Sequence, residues 1–285
     1  MSRPIRLFHL SDIHFGYEDK QVLDWVEACI QDERPDVIAI TGDLTMRARH
    51  GEFEAACEWI QALDRPVTVE VGNHDLPYFN LFERFINPYR RYHAIENLIE
   101  REIDLPGLAI VPLRTTARAQ ARWPWVDGWI TSEALGETLA AIDELPEGTR
   151  VIVTAHHPLP EHSERGKRLT RGGDEAMAEL ASRGVMAVLS GHIHDPFDLV
   201  AETRCGPLHM IGAGTLSRRI RSTPASFNAL AIDGSRIEVT VRNLEHVPTP
   251  DMLIDEVAED ALPPREEGLP VAPVHKIPDK DPPVS

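Results

Sequence analysis

Cysteine is scarce: three residues, Cys29, Cys57 and Cys205, stand far apart in a chain of 285. That excludes a disulfide framework and a thiolate metal site, both of which need paired or clustered cysteines. Positive charge is short as well. Twenty-nine Lys and Arg against 46 Asp and Glu leave a formal net charge of -17, a field that repels nucleic acid and anionic membrane unless a local patch overrides it. No apolar run approaches the roughly 20 residues that span a bilayer, and the N-terminal MSRPIRLFHLSDIHFG runs into a strand with no long apolar leader. Together these absences predict a cytoplasmic protein that binds neither bulk nucleic acid nor membrane.

What is present is enough hydrophobic sequence, 42%, for one substantial core. Residues 5–10 form an apolar run ending at Ser11-Asp12, followed by Val22, Leu23, Val26, Cys29 and Ile30 at helical spacing. The pattern repeats: 37–40 ends at Thr41-Gly42-Asp43, and Phe53, Ala56, Cys57, Ile60 and Leu63 line one helix face before 67–71. This βαβαβ order implies a parallel sheet. Residues 79–104 read as helical, with Phe79, Phe82, Phe85 and Tyr89 on one face as core or interface; 108–113 reads as a strand and 132–143 as a helix capped by Ser132. Buried strands are expected at 151–154 and 185–189 with a helix near 174–183 between them. Short alternating segments at 199–203, 207–211, 227–232 and 236–242 suit antiparallel strands.

From Glu245 onward the composition shifts, to nine of the 23 prolines and ten acidic against three basic residues. The expected organisation is a domain over 1–245 and a disordered or draped tail over 246–285, within which 251–260 is the one candidate for a short helix, docked or at a homodimer contact.

The chemistry-bearing residues share a position. Asp12 and His14, Asp43, Asn73 and His74, His156, and His192 and His194 each lie just past the C-terminal end of an expected buried strand, the edge where open α/β sheets bind ligands. Singly, each has a plainer explanation, since a lone Asp before a helix is ordinarily a cap and a lone His an ordinary surface or core residue. Five successive strand ends that all supply oxygen or imidazole are not explained that way. Carboxylate, imidazole and one amide suit Mn, Fe, Co or Zn rather than calcium or copper. Seven donors exceed one transition metal and suit two ions sharing a carboxylate, at the ~3.5–4 Å separation of two-metal hydrolases.

Five motifs carry a resemblance: DxH at Asp12–His14, GD at Gly42–Asp43, GNHD at Gly72–Asp75, HH at His156–His157 and GHxH at Gly191–His194. In this order they resemble the calcineurin-like metallophosphoesterases over about residues 5–240, and the close spacing resembles bacterial class III cyclic nucleotide phosphodiesterases and their glycerophosphodiesterase relatives. The resemblance implies a four-layer α/β/β/α sandwich with two facing mixed sheets and outer helices. It puts Asp12, His14 and His194 on one metal and Asn73, His156 and His192 on the other, with Asp43 as bridge. It implies hydrolysis of a small-molecule phosphodiester by a metal-activated hydroxide, with His74 assisting the leaving group and Asp75 orienting its ring. A 3′,5′-cyclic nucleotide is the first substrate expectation. A glycerophosphodiester or a broad range of esters is the alternative, and a non-catalytic phosphoryl-binding protein or scaffold on the same fold is a reading of another class.

His157, by analogy with the motif, points away from the metals toward a supporting or substrate role, or simply packs before Pro158. Arg218, Arg219 and Arg221 in the 214–221 run are candidates to bind a phosphate or nucleotide, or form a solvated basic turn. Trp123, Trp125 and Trp129, in a segment with the length and composition of a functional loop, are an aromatic wall against a planar group or anchors for that loop.

Overall fold

The computed structural model describes residues 3–77, 81–93, 103–117, 127–160 and 170–244. The proposed tail, Phe79, Trp123 and Trp125 lie outside the described residues, as do the side chain of Phe82 and the middle of the 79–104 helical expectation.

Two five-stranded sheets form the centre. The first has the order β10-β9-β1-β2-β3, from β1 (Ile5–Leu10), β2 (Val37–Ile40), β3 (Val67–Val69), β9 (Ser226–Asp233) and β10 (Arg236–Asn243). The second has the order β4-β5-β6-β8-β7, from β4 (Leu108–Pro112), β5 (Arg150–Thr154), β6 (Ala187–Ser190), β7 (Phe197–Thr203) and β8 (Gly206–Gly212). Strands β1, β2 and β3 are parallel, as are β4, β5, β6 and β8. Strand β9 adds antiparallel beside β1 and β10 antiparallel beside β9, and β7 adds antiparallel beside β8.

Period-two alternation makes this a four-layer molecule, because a buried strand sends successive side chains to opposite faces. From the first sheet, Leu7, Val37 and Ala39 meet Ile152, Ala187, Leu189 and Ile211 of the second in a core between the sheets. Their neighbours Phe8, Leu10, Ile38 and Ile40 point outward onto α1 (Lys20–Glu33) and α2 (His50–Ala62), through Val22, Val26, Ala56 and Ile60. On the far side, Val151, Val153, Val188 and Met210 pack under α4 (Ser132–Asp143) and α5 (Gly173–Ser182), through Leu135, Ile142, Ala176 and Leu180. The order is α/β/β/α, as the resemblance implies.

Three details differ from the sequence expectation. The cap of α4 is Thr131, whose hydroxyl accepts from the Ala134 N–H at 3.1 Å, so Ser132 is already helical. The four C-terminal strands are two hairpins that part company, β7–β8 joining the second sheet and β9–β10 the first. Alternation reports a half-buried strand but not which sheet receives it. Within 79–104 the described residues hold two helical pieces, α3 (Leu81–Ile86) and residues 90–93, parted by a break at 87–89. No helix among the described residues is long and apolar enough to cross a membrane.

Candidate metal centre

At the C-terminal ends of β1, β2, β3, β5 and β6 the backbone turns sharply, and these turns bring seven side chains from two sheets together. Asp12 and His14 follow β1, Asp43 follows β2, Asn73 follows β3, His156 follows β5, and His192 and His194 follow β6. Among the eight described non-glycine residues with positive φ, five belong to this set: Asp12 (53°), His14 (51°), Asp43 (52°), His192 (70°) and His194 (63°). An L residue held there is strained, and such strain concentrates where a side chain must be aimed for function.

Two glycines allow the turns to touch. A Cβ on Gly72 would lie 2.0 Å from Asp43 Oδ1, and one on Gly191 would lie 1.7 Å from Ser11 Oγ and 2.6 Å from Asp12 Oδ2. The glycines of the GNHD and GHxH motifs are therefore the space into which the carboxylates pack.

Asp12 and Asp43 each use one oxygen for the protein and turn the other toward imidazoles. Oδ2 of Asp12 accepts from the Ser11 hydroxyl at 2.6 Å and the His192 N–H at 2.9 Å. Its Oδ1 is buried with no hydrogen bond, 3.2 Å from His194 Nε2 and 3.8 Å from His14 Nε2. Asp43 divides between two sides of the cluster. Its Oδ1 accepts from the His74 N–H at 2.9 Å and lies 3.5 Å from His156 Nε2; its Oδ2, with no partner, lies 3.8 Å from His14 Nε2. On the first side His14 and His194 present Nε2 atoms 3.4 Å apart, and on the second Asn73 Oδ1 lies 3.1 Å from His156 Nε2.

The tautomers are set from behind. His156 Nδ1 is 2.8 Å from the Thr41 carbonyl and His194 Nδ1 is 2.8 Å from the Arg219 carbonyl. A carbonyl only accepts, so each ring donates through Nδ1–H and leaves Nε2 with a lone pair aimed inward, the usual support of a metal-binding imidazole. Burial holds His14 and His192 well below the ordinary imidazole range, so both rings are neutral. For His156 burial pulls down, but the carboxylates of Asp43 and Asp12 outweigh it and raise the ring. Burial would likewise raise Asp12, yet His194, His156 and His14 hold it well below the usual carboxylate range. Orphaned carboxylate oxygens and imidazole lone pairs converging in a buried space fit bound cations. Among the described residues, four interlocking groups place their donor atoms within 4.8 Å of one another: Asp12–His14–His194, Asp12–Asp43–His156, His14–Asp43–His74 and His156–His157–His192.

His74 stands beside the first side, its ring centroid 4.8 Å from that of His14. Nδ1 lies 2.8 Å from the Met46 carbonyl and Nε2 lies 2.9 Å from Arg219 Nη1, so the neutral ring accepts from the guanidinium. Burial lowers its pKa, opposed by Asp43 and assisted by Arg219. Asp75 does not orient this ring, contrary to the expectation from the motif, because both ring nitrogens are engaged elsewhere. Its carboxylate instead accepts from the N–H groups of Gly72 (2.9 Å), Thr45 (2.8 Å) and Leu44 (3.2 Å) and from the Thr45 hydroxyl (3.0 Å), tying the Asp43 turn to the Asn73 turn. Burial, then the Asp43 carboxylate, push its carboxyl up to about 7 against those donors.

His157 is buried beside the second side, with Nδ1 2.8 Å from Thr115 Oγ1 and its ring 4.4 Å from that of His192. Arg219 joins the site but Arg218 is exposed, and its backbone N–H donates to Tyr17. Trp129 is stacked by Arg171, 4.8 Å from guanidinium carbon to ring centroid. Phe85 is exposed and Tyr89 half-buried, its hydroxyl donating to the Thr116 carbonyl at 2.9 Å. The sequence reading missed Thr115 and Asp195, and the signal for the latter was its place directly after His194. The packing at Gly191 yields one prediction: Gly191→Ala should destabilise the fold by roughly 1–3 kcal/mol in urea unfolding and displace Asp12, so that calorimetric Mn²⁺ binding weakens sharply.

Comparison with known proteins accords with this geometry. The family model described as calcineurin-like phosphoesterase matches residues 5–196. Three curated relatives are similar over part of their length. A glycerophosphodiester phosphodiesterase, GpdQ, of Enterobacter lignolyticus is 21% identical over 66% of this chain and 70% of its own. A probable GpdQ of Arcobacter nitrofigilis is 25% identical over 56% and 57%, and a subunit of the nuclease SbcCD of Staphylococcus epidermidis is 24% identical over 68% and 58%. The chain thus spans little more than half of the latter two. Among solved structures, a dimetal phosphatase from Danio rerio aligns with TM-score 0.62 at 13% identity, over 85% of this chain and 97% of that one. The purple acid phosphatase PPD1 of yellow lupin aligns with TM-score 0.61 at 11% identity, over 85% and 52%. With the family model covering more than half of its length, the chain belongs to the calcineurin-like phosphoesterases, which hydrolyse phosphoric esters with bound metal ions.

Proposed function

We propose that this protein is a phosphodiesterase that works with two transition-metal ions, drawn from Mn, Fe, Zn and Co. The observation that carries the reading is the division of Asp43, with one oxygen toward His14 and the other toward His156. In the proposed arrangement Asp12, His14 and His194 hold one ion, Asn73, His156 and His192 hold the other, and Asp43 belongs to both. Two such cations supply a nucleophile at neutral pH by lowering the pKa of water and offset phosphoryl charge.

The chain's own residues then divide the remaining work. Met46 fixes the His74 ring through Nδ1, and Arg219 holds Nε2. A phosphoryl oxygen that draws the Arg219 guanidinium to itself frees Nε2 to take up a proton from solvent and pass it to the departing alkoxide. His157, braced by Thr115, closes the side next to His156 and His192 and contacts the ester. Residues 1–245 are proposed as the catalytic unit, with 246–285 as a separate acidic tail.

For the substrate, a small diester with a poor leaving group is favoured, because an acid beside two metals matters most there. A glycerophosphodiester has the support of two relatives' names, and a 3′,5′-cyclic nucleotide that of motif spacing alone. One relative is named as part of a nuclease, but a net charge of -17 weighs against bulk nucleic acid here.

The test is turnover of bis(p-nitrophenyl) phosphate, a glycerophosphodiester and cyclic AMP by protein loaded with each metal, alongside elemental analysis. Two ions per chain without turnover of any diester would sink the reading. Asp43→Ala should remove both ions, and retention of two would contradict the shared carboxylate. His74→Ala should keep both ions and lose about 10²–10⁴-fold in kcat on alkyl diesters, with a much smaller loss on the nitrophenyl ester. An equal loss on both would argue against leaving-group assistance.

A further inference from the structure

The segment between β8 and β9 is fastened at many points for a loop that carries three arginines. Its first part leans on the Asp12 turn: the Thr215 hydroxyl and the Leu216 N–H both donate to the Asp12 carbonyl, at 2.8 and 3.3 Å. Its middle is built on hydroxyls, with the Ser217 N–H donating to Thr215 Oγ1 at 3.1 Å and the Arg219 N–H to Ser217 Oγ at 3.2 Å. Its tip is gripped by two consecutive residues after β6. His194 donates to the Arg219 carbonyl at 2.8 Å. Asp195 takes the other side: Oδ1 accepts from the Ser222 N–H (3.1 Å), the Thr223 N–H (3.0 Å) and the Thr223 hydroxyl (2.9 Å), and Oδ2 from the Ser222 hydroxyl (2.6 Å).

Four donors on one carboxylate, none from a cation, make a latch for the loop rather than an ion pair. Those hydrogen bonds, after the cost of burial, hold the Asp195 carboxyl below its ordinary value. The product of the fastening is Arg219. Half-buried, it places Nη1 2.9 Å from His74 Nε2, and among the described residues that one side-chain contact leaves the other donors of a five-donor fork for phosphoryl oxygens. An arginine side chain carries much rotamer entropy, which a free loop would surrender on binding and a latched one has lost already.

We propose that Asp195 is a positioning residue for phosphoryl recognition: by clasping Ser222 and Thr223 it holds the loop so that Arg219 is presented to the substrate beside His74. This rests on the reading that Arg219 contacts the phosphoryl group, and the measurements separate the two. Metal-loaded wild type, Arg219→Met, Asp195→Ala, Asp195→Asn and the double variant Asp195→Ala/Arg219→Met are titrated with inorganic phosphate by calorimetry, with metal content and thermal melts recorded. The same proteins are assayed on bis(p-nitrophenyl) phosphate for KM and kcat separately.

Arg219→Met should weaken phosphate binding about tenfold or more, and Asp195→Ala should weaken it comparably and raise KM more than it lowers kcat, with both metals retained. Asp195→Asn, which keeps an acceptor oxygen for the two N–H groups, should recover most of the loss. In the Arg219→Met background, Asp195→Ala should have no further effect, since both act through one guanidinium. Phosphate affinity of Asp195→Ala within about twofold of wild type, additive losses in the double variant, or loss of a metal ion on Asp195→Ala would each overturn the proposal, the last because the latch would be acting through His194. If Arg219→Met binds phosphate as wild type does, Arg219 is no phosphoryl ligand and the proposal falls with it. Absence of diester turnover in wild type strikes the phosphodiesterase reading alone and leaves the phosphate titrations decisive for Asp195.

Discussion

Two carboxylates, Asp12 and Asp43, are buried with one oxygen each facing only imidazole nitrogens. In a protein interior such an oxygen costs several kcal/mol unless positive charge meets it, and most of what surrounds the pair answers to that constraint. Rings held by their outer nitrogens turn lone pairs toward the same space and sharpen the demand. The carbonyls of Thr41 and Arg219 fix which nitrogen of His156 and His194 keeps its proton, and so enforce the mismatch rather than relieve it.

Such convergence is expensive for the backbone. Short turns after buried strands must aim side chains sideways into one point, which puts Asp12, His14, Asp43, His192 and His194 in the left-handed region. The compensation lies in the supports: glycines where a side chain would collide, and Asp75, whose carboxylate gathers N–H groups from both the Asp43 turn and the Asn73 turn. Residues that touch no substrate in the proposed chemistry thereby determine whether those that do are in place.

Much of this was legible in the sequence for a simple reason. Buried parallel strands are short continuous apolar runs, and the residues directly after each run lie at one edge of the sheet, so Asp12, Asp43, Asn73, His156 and His192 could be brought to a common edge without any knowledge of pairing. Less accessible was anything that depends on contacts between distant turns. Asp75 reads locally as the neighbour of His74 but spends its oxygens on residues some thirty positions away, such as Thr45 and Leu44. Arg218 and Arg219 are indistinguishable as adjacent arginines, and only the path of the loop turns one toward His74 and leaves the other in solvent. The cap of α4 moved by one residue because Thr and Ser are both good caps and sit side by side.

The donor set is drawn from both sheets: Asp12, His14, Asp43 and Asn73 follow strands of the first, and His156, His192 and His194 follow strands of the second. Between the sheets themselves the contact is largely packing of aliphatic side chains, pinned by a few hydrogen bonds such as those of His156 to Thr41 and Thr154 to Glu70. Any cation held jointly by Asp12 and His194, or by Asp43 and His156, is therefore a cross-link between the halves of the molecule. It would lock the register of one half on the other much as a disulfide does, in a chain whose three cysteines are all free.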